Sequence, residues 1–182
     1  MSTDQSSDSD RARALLNELR ALPAGTLAAA RALVLAKRVD GVDCPCCDQF
    51  AKVYKRKLSS AMAEAMIVIE RATRDNRARP FHMGQLLDVR SSNRTARGGG
   101  DPMRLRFHGL VDLVPGTRAD ESWRVGYYTV TDLGVKFALD EYRAPKYAYM
   151  YAQECLGVSD EKISVVEALG NRFSYRELMD GK

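Results

Sequence analysis

The stretch "LRFHGLVDLVPGTRADESWRVGYYTVTDLGVKFAL", residues 105–139, decides the fold. Its first residues close a short helix that begins at "DPM". Asp101 suits a cap, Pro102 suits the first helical position, and Gly109 suits the left-handed residue just past the end. Leu110 then folds back over the last turn. Signals at both ends agree on a helix of about two turns. "VDLV" and "WRVGYYTV" read as strands flanking the loop "PGTRADES". Thr131 caps a further helix, "DLGVKFALDEY".

Upstream, the apolar positions Leu58, Met62, Met66 and Ile69 recur at helical spacing, which predicts a long helix from Lys55 to about Arg74. Pro80 opens a shorter helix, "FHMGQLLDV". "RSSNRTARGGG" (90–100) is a polar, basic, glycine-ended turn. Before these, "DRARALLNELRA" (10–21) and the alanine-rich "AGTLAAARALVLAKR" (24–38) read as helices, the second with Thr26 as a cap. Gly41 and Pro45 punctuate the loop "VDGVDCPCCD". Residues 1–9, acidic and serine-rich, read as a disordered lead-in without the order of a secretory signal.

Downstream of Pro145, "KYAYMYAQECLGV" reads as a hairpin. "SVVEALG" and "SYRELM" each open with the reciprocal Ser-x-x-Glu capping pattern. The resulting division is a tail (1–9), helices with the CPCC loop (10–54), a helix-and-hairpin domain (55–144) and a small hairpin–helix extension (145–182). The fold class is α+β.

Of the 182 residues, 45% are hydrophobic and 29% charged, ordinary for a globular chain with a core. No apolar run approaches a membrane span, so a cytoplasmic protein is expected. The net charge of +4 is unevenly placed: residues 52–106 hold thirteen basic and five acidic side chains, an excess of eight. From Leu110 onward nine basic residues face twelve acidic ones. A cationic middle before an acidic end points to one polyanion-binding face.

The order of helix, short helix, glycine-rich turn, short helix, two-stranded wing and helix resembles the winged helix-turn-helix family. The likeness is sharpest in Leu105, Gly109, Leu110 and Val111, then in Tyr128, Val130, Thr131, Gly134 and Phe137. Bacterial regulators of the PadR and MarR type carry this signature, which covers a little under half of the chain. The long basic loop at 90–100 and the CPCC loop depart from that pattern. The start "CPxC…KVYKRKL" joined to such a domain is also similar to small proteins of actinobacteria and their phages, a likeness that implies no function.

The resemblance implies binding of double-stranded DNA by a transcriptional regulator, possible as a homodimer through the alanine-rich helices. A major groove admits one helix, and arginine suits guanine edges and phosphates. Arg104, Arg106 and His108 are the groove candidates. Arg94, Arg97, Arg118, Lys55 and Arg56 are the phosphate candidates. A protein-docking adaptor, or a phage inhibitor of a host protein, is the competing class.

Cys44 and Cys47 form a C-x-x-C pair of the kind that binds Zn2+ from a tight turn. Four ligands are needed, and Cys155, His82 or His108 would have to complete the set; Cys46, adjacent to Cys47, is a less natural partner. A thiol-based metal or redox sensor is thus a further reading. Catalysis is not expected: "RGGGD" lacks the lysine of a phosphate loop, and each histidine follows a phenylalanine.

Overall fold

The computed structural model describes residues 26–90, 102–116 and 126–181. The helix expected over 10–21, the basic turn after Arg90 and residues 117–125 of the loop "PGTRADES" and its sequel lie outside the described residues, as do Arg94, Arg97, Asp101 and Arg118. The chain divides into two compact units, Met1–Tyr54 and Lys55–Lys182.

The first unit holds helix α1 (Leu27–Lys37) and the two-stranded hairpin β1 (Val42–Asp43) and β2 (Phe50–Ala51). Thr26 starts α1 by accepting from the Ala29 amide at 3.1 Å, as its residue type suggests. The hairpin pairs Val42 with Ala51 and Asp43 with Phe50. One more bond, Cys44 N–H to the Gln49 carbonyl at 2.9 Å, carries the ladder into the CPCC turn.

The second unit is mixed α+β. It opens within β3 (Tyr54–Lys57), at Lys55, and continues with α2 (Ser60–Thr73), where a single helix from Lys55 was expected. The break has two local causes. Ser59 is an extended N-cap that accepts from the Met62 amide, and Leu58 is fully buried with its N–H on the Lys146 carbonyl. Helix α2 is the centre of the unit: residues 61–70 are all buried, Glu64 and Glu70 included. A helix apolar all round must be enclosed, and α2 packs against elements from both halves of the unit. Glu70 is compensated by a two-pronged contact with Arg74, Nε at 3.2 Å and Nη2 at 2.8 Å.

Strand β4 (Phe81–His82) precedes α3 (Met83–Arg90), followed by a 3-10 helix (Pro102–His108) and β5 (Val111–Leu113). Strand β6 (Tyr127–Val130) leads into α4 (Asp132–Ala138). The three strands make one antiparallel sheet in the order β4-β6-β5, with Phe81 and Leu113 flanking Tyr128 from opposite sides.

The remainder comprises β7 (Ala144–Pro145), the hairpin β8 (Tyr147–Tyr151) and β9 (Glu154–Val158), β10 (Lys162–Ile163), α5 (Val165–Leu169) and α6 (Tyr175–Asp180). Ala152 and Gln153 both take positive φ, 48° and 69°, the signature of a tight two-residue hairpin turn. Ser164 and Ser174 cap as their spacing predicts, Ser164 with the full reciprocal box. This segment is not merely appended. Ile163, Val165, Leu169 and Leu178 sit in the same core cluster as Met66 and Leu105. Each such burial contributes roughly 1.5–3 kcal/mol, so the 145–182 segment and the helices before it stabilise one another. Arg71 donates to the Leu178 carbonyl at 2.9 Å and Tyr175 Oη donates to the Ala138 carbonyl at 3.0 Å. Among the described residues no helix is long and apolar enough to cross a membrane.

Candidate nucleic-acid interface

The 3-10 helix is held at its C-terminal end by a closed set of backbone bonds. Gly109, at φ 73°, donates to the Arg106 carbonyl at 3.1 Å, and Leu110 donates to the Leu105 carbonyl at 3.2 Å. That pair is the Schellman closure that a left-handed glycine permits. Leu110 is fully buried. Helix α4 fastens onto the same turn: Thr131 Oγ1 donates to the Gly109 carbonyl at 2.8 Å, and Thr131 N–H donates to the Leu110 carbonyl at 3.2 Å. The seat is so close that a Cβ on Gly134 would run into the Leu110 carbonyl oxygen.

Burial along this helix follows a period of three, Pro102, Leu105 and His108 facing inward. Side chains three apart eclipse in a 3-10 helix, so one row is enclosed and the others face out. Arg106 is exposed, with its guanidinium carbon 4.6 Å from the centre of the Phe107 ring. Arg104 is half-buried and has a contact of its own. Of the groove candidates, Arg106 is the one the fold leaves exposed.

His108 departs from expectation. It is 4% exposed, and its Nδ1 lies 2.8 Å from the Pro145 carbonyl, so it faces the core and not a groove. Burial lowers its pKa, and the bond to Pro145 opposes that shift without cancelling it. A histidine with a depressed folded pKa favours the native state above its unfolded value of about 6.5. That contribution is lost as pH falls through the lower folded value. Urea unfolding at several pH values should show stability declining on acidification below about 6.5, with a shallower decline in His108→Asn. Identical pH profiles for the two proteins would contradict this placement.

Lys55, Arg56 and Lys57 are all exposed, on β3 and not at the head of a helix. Their strand is the edge of the sheet β3-β8-β9, and β8 and β9 pack against the 3-10 helix. The cationic edge strand and Arg106 are therefore carried by neighbouring elements. Lys55 Nζ lies 3.9 Å from the centre of the Tyr147 ring, a cation–π contact that orders the lysine while leaving its charge on the surface. Two arginines of the basic segment are taken up by the fold, Arg71 on Leu178 and Arg74 on Glu70. Arg77 and Arg79, on the turn between α2 and β4, are exposed. The cluster "RDNRARP" signals them, three arginines stopped by a proline, but the sequence reading did not single them out.

In the first unit the CPCC turn is folded tightly on itself. The Cys44 carbonyl accepts from Cys47 N–H at 3.3 Å and from Asp48 N–H at 2.9 Å, with Asp48 at φ 57°. The Cys46 amide is the leading cause of a lowered Cys44 pKa, followed by the Cys47 thiol. Loss of hydration and the adjacent Cys44 raise that of Cys46. Cys155 lies on β9 of the second unit and its Sγ donates to the Gly157 carbonyl at 3.3 Å. Among the described residues no group of three or more His, Cys, Asp or Glu side chains is disposed to hold a metal ion.

No family model, no curated protein and no solved structure matches this chain.

Proposed function

We propose that the chain binds double-stranded DNA through a winged-helix module spanning residues 55–144, as a transcriptional regulator of bacterial or phage origin. The observation that carries this reading is the order of elements around one small sheet. Helix α2, strand β4, helix α3, the 3-10 helix and strands β5 and β6 follow one another, and the strands pair as β4-β6-β5. In that arrangement the second short helix lies next to a pair of antiparallel strands, which supports the reading that it enters a major groove. Arg106 is the side chain proposed for base or phosphate contact. Lys55, Arg56 and Lys57 are proposed to hold phosphates on the flanking strand, joined by Arg94, Arg97 and Arg118 from segments outside the described residues.

The test is a gel-shift titration against random duplex with Arg106→Ala alongside the parent. Arg106 is exposed, and its one close ring contact is with its neighbour Phe107, so its truncation should leave the fold intact. Loss of one such contact should weaken binding about tenfold, within the 1–3 kcal/mol typical of a direct arginine contact. Unchanged affinity would remove Arg106 from the interface.

A second reading has its own observation. Leu113, Leu156 and Val158 are large apolar side chains left exposed on strands. They fit the alternative of a protein-docking adaptor, which would bind a host protein with little regard for salt.

A further inference from the structure

Three neighbouring cysteines on one turn play no part in the proposed DNA interface. We propose that the CPCC turn is a thiol–disulfide site in which Cys44 and Cys47 interconvert between a dithiol and an intramolecular disulfide, with Cys46 remaining a thiol.

The pairing follows from the backbone. Cys47 N–H bonds to the Cys44 carbonyl at 3.3 Å, closing a four-residue turn that draws its first and last Cα together, within about 7 Å. A disulfide needs a Cα separation of about 4.4–6.8 Å, so a modest adjustment of this turn suffices. Cys46 and Cys47 are adjacent, and neighbouring Cα atoms are about 3.8 Å apart, below that range. Cys44 and Cys47 also stand on a framed turn. The hairpin bond from Cys44 N–H to Gln49 and the second bond from Asp48 N–H to the Cys44 carbonyl hold its base whichever sulfur state is present. Cys47 is exposed and Cys44 half-buried, so an external disulfide reaches one thiol directly and the other at the turn's edge.

The chemistry is exchange with a small-molecule or protein disulfide. Cys44 gives its proton to solvent and, as the thiolate, attacks one sulfur of the external disulfide. The external S–S bond breaks, one external thiolate leaves, and Cys44 is joined to the other half. Cys47 then loses its proton to solvent and attacks the Cys44 sulfur. The mixed disulfide breaks and the second external thiolate leaves. The two protons released by the cysteines match the two taken up by the external thiolates. Two electrons pass from the cysteine pair to the external disulfide.

The full chain, purified without chelator, would be equilibrated with oxidised glutathione, quenched with an alkylating agent and mapped by mass spectrometry. The expected result is the loss of two thiols through a Cys44–Cys47 link, from four in the parent and from three in Cys46→Ser. Cys47→Ser should stop at a glutathione adduct on Cys44. The proposal is overturned by a link through Cys46, by a stable glutathione adduct on Cys44 or Cys47 in the parent, or by no reaction at all. One tightly held equivalent of zinc that blocks oxidation of Cys44 and Cys47 would overturn it as well. DNA binding is not needed for any of these readouts.

Discussion

Raising the salt concentration from about 50 to about 200 mM should cut the affinity of this chain for duplex DNA by about a thousandfold. The size of the effect comes from counterion release. Each phosphate neutralised by a lysine or arginine frees condensed cations, and the logarithm of the binding constant falls by about 0.9 per contact for each decade of salt. Six contacts over a fourfold rise in salt give about three decades. The supply of cations is adequate: Lys55, Arg56, Lys57 and Arg106 are exposed, with Arg94, Arg97 and Arg118 in the segments outside the described residues. Fluorescence anisotropy with a labelled random duplex measures the slope directly. A slope corresponding to one contact or fewer would leave the docking reading, carried by Leu113, Leu156 and Val158, as the better account.

What could be read from the sequence was whatever the chain decides within a few residues. Thr26, Thr131, Ser164 and Ser174 cap the helices their spacing announced, since a hydroxyl three positions before a free amide needs no distant partner. Gly109 and Leu110 close the short helix for the same reason. Errors arose where distant residues decide. "YKRK" became a strand because β8, about ninety residues later, offers it an edge to pair with. An isolated segment would have no reason to prefer that pairing over a helix. His108 was grouped with Arg104 and Arg106 as a groove residue, whereas the segment winds with a period of three and turns that ring onto Pro145. Arg71 and Arg74 stay exposed but are engaged, the first by the Leu178 carbonyl and the second by the buried Glu70. The charge excess of the basic segment was legible, but which of its members are already engaged within the fold was not.

Gly134→Ala should destabilise the second unit by about 3 kcal/mol, at the upper end of what overpacking usually costs. The sign of the effect is informative, because the two local rules disagree. Gly134 lies inside α4, where helix propensity alone would have alanine stabilise by about 1 kcal/mol. Against that gain stands the Leu110 carbonyl oxygen, lying where the new methyl group would go. Neither partner can easily move. Leu110 is fully buried and donates to Leu105, and its carbonyl already accepts from Thr131 N–H. Thr131 is in turn anchored through its hydroxyl to the Gly109 carbonyl. Relieving the clash would lift α4 off the turn that mounts the 3-10 helix and break at least one of these bonds. Urea denaturation of parent and variant measures the difference. If the mount also sets the angle of the helix, duplex affinity should fall in Gly134→Ala with every cationic side chain still present. A more stable variant would mean that α4 does not sit on the 109–110 turn as closely as these contacts require, and the rigid presentation of Arg106 would lose its physical basis.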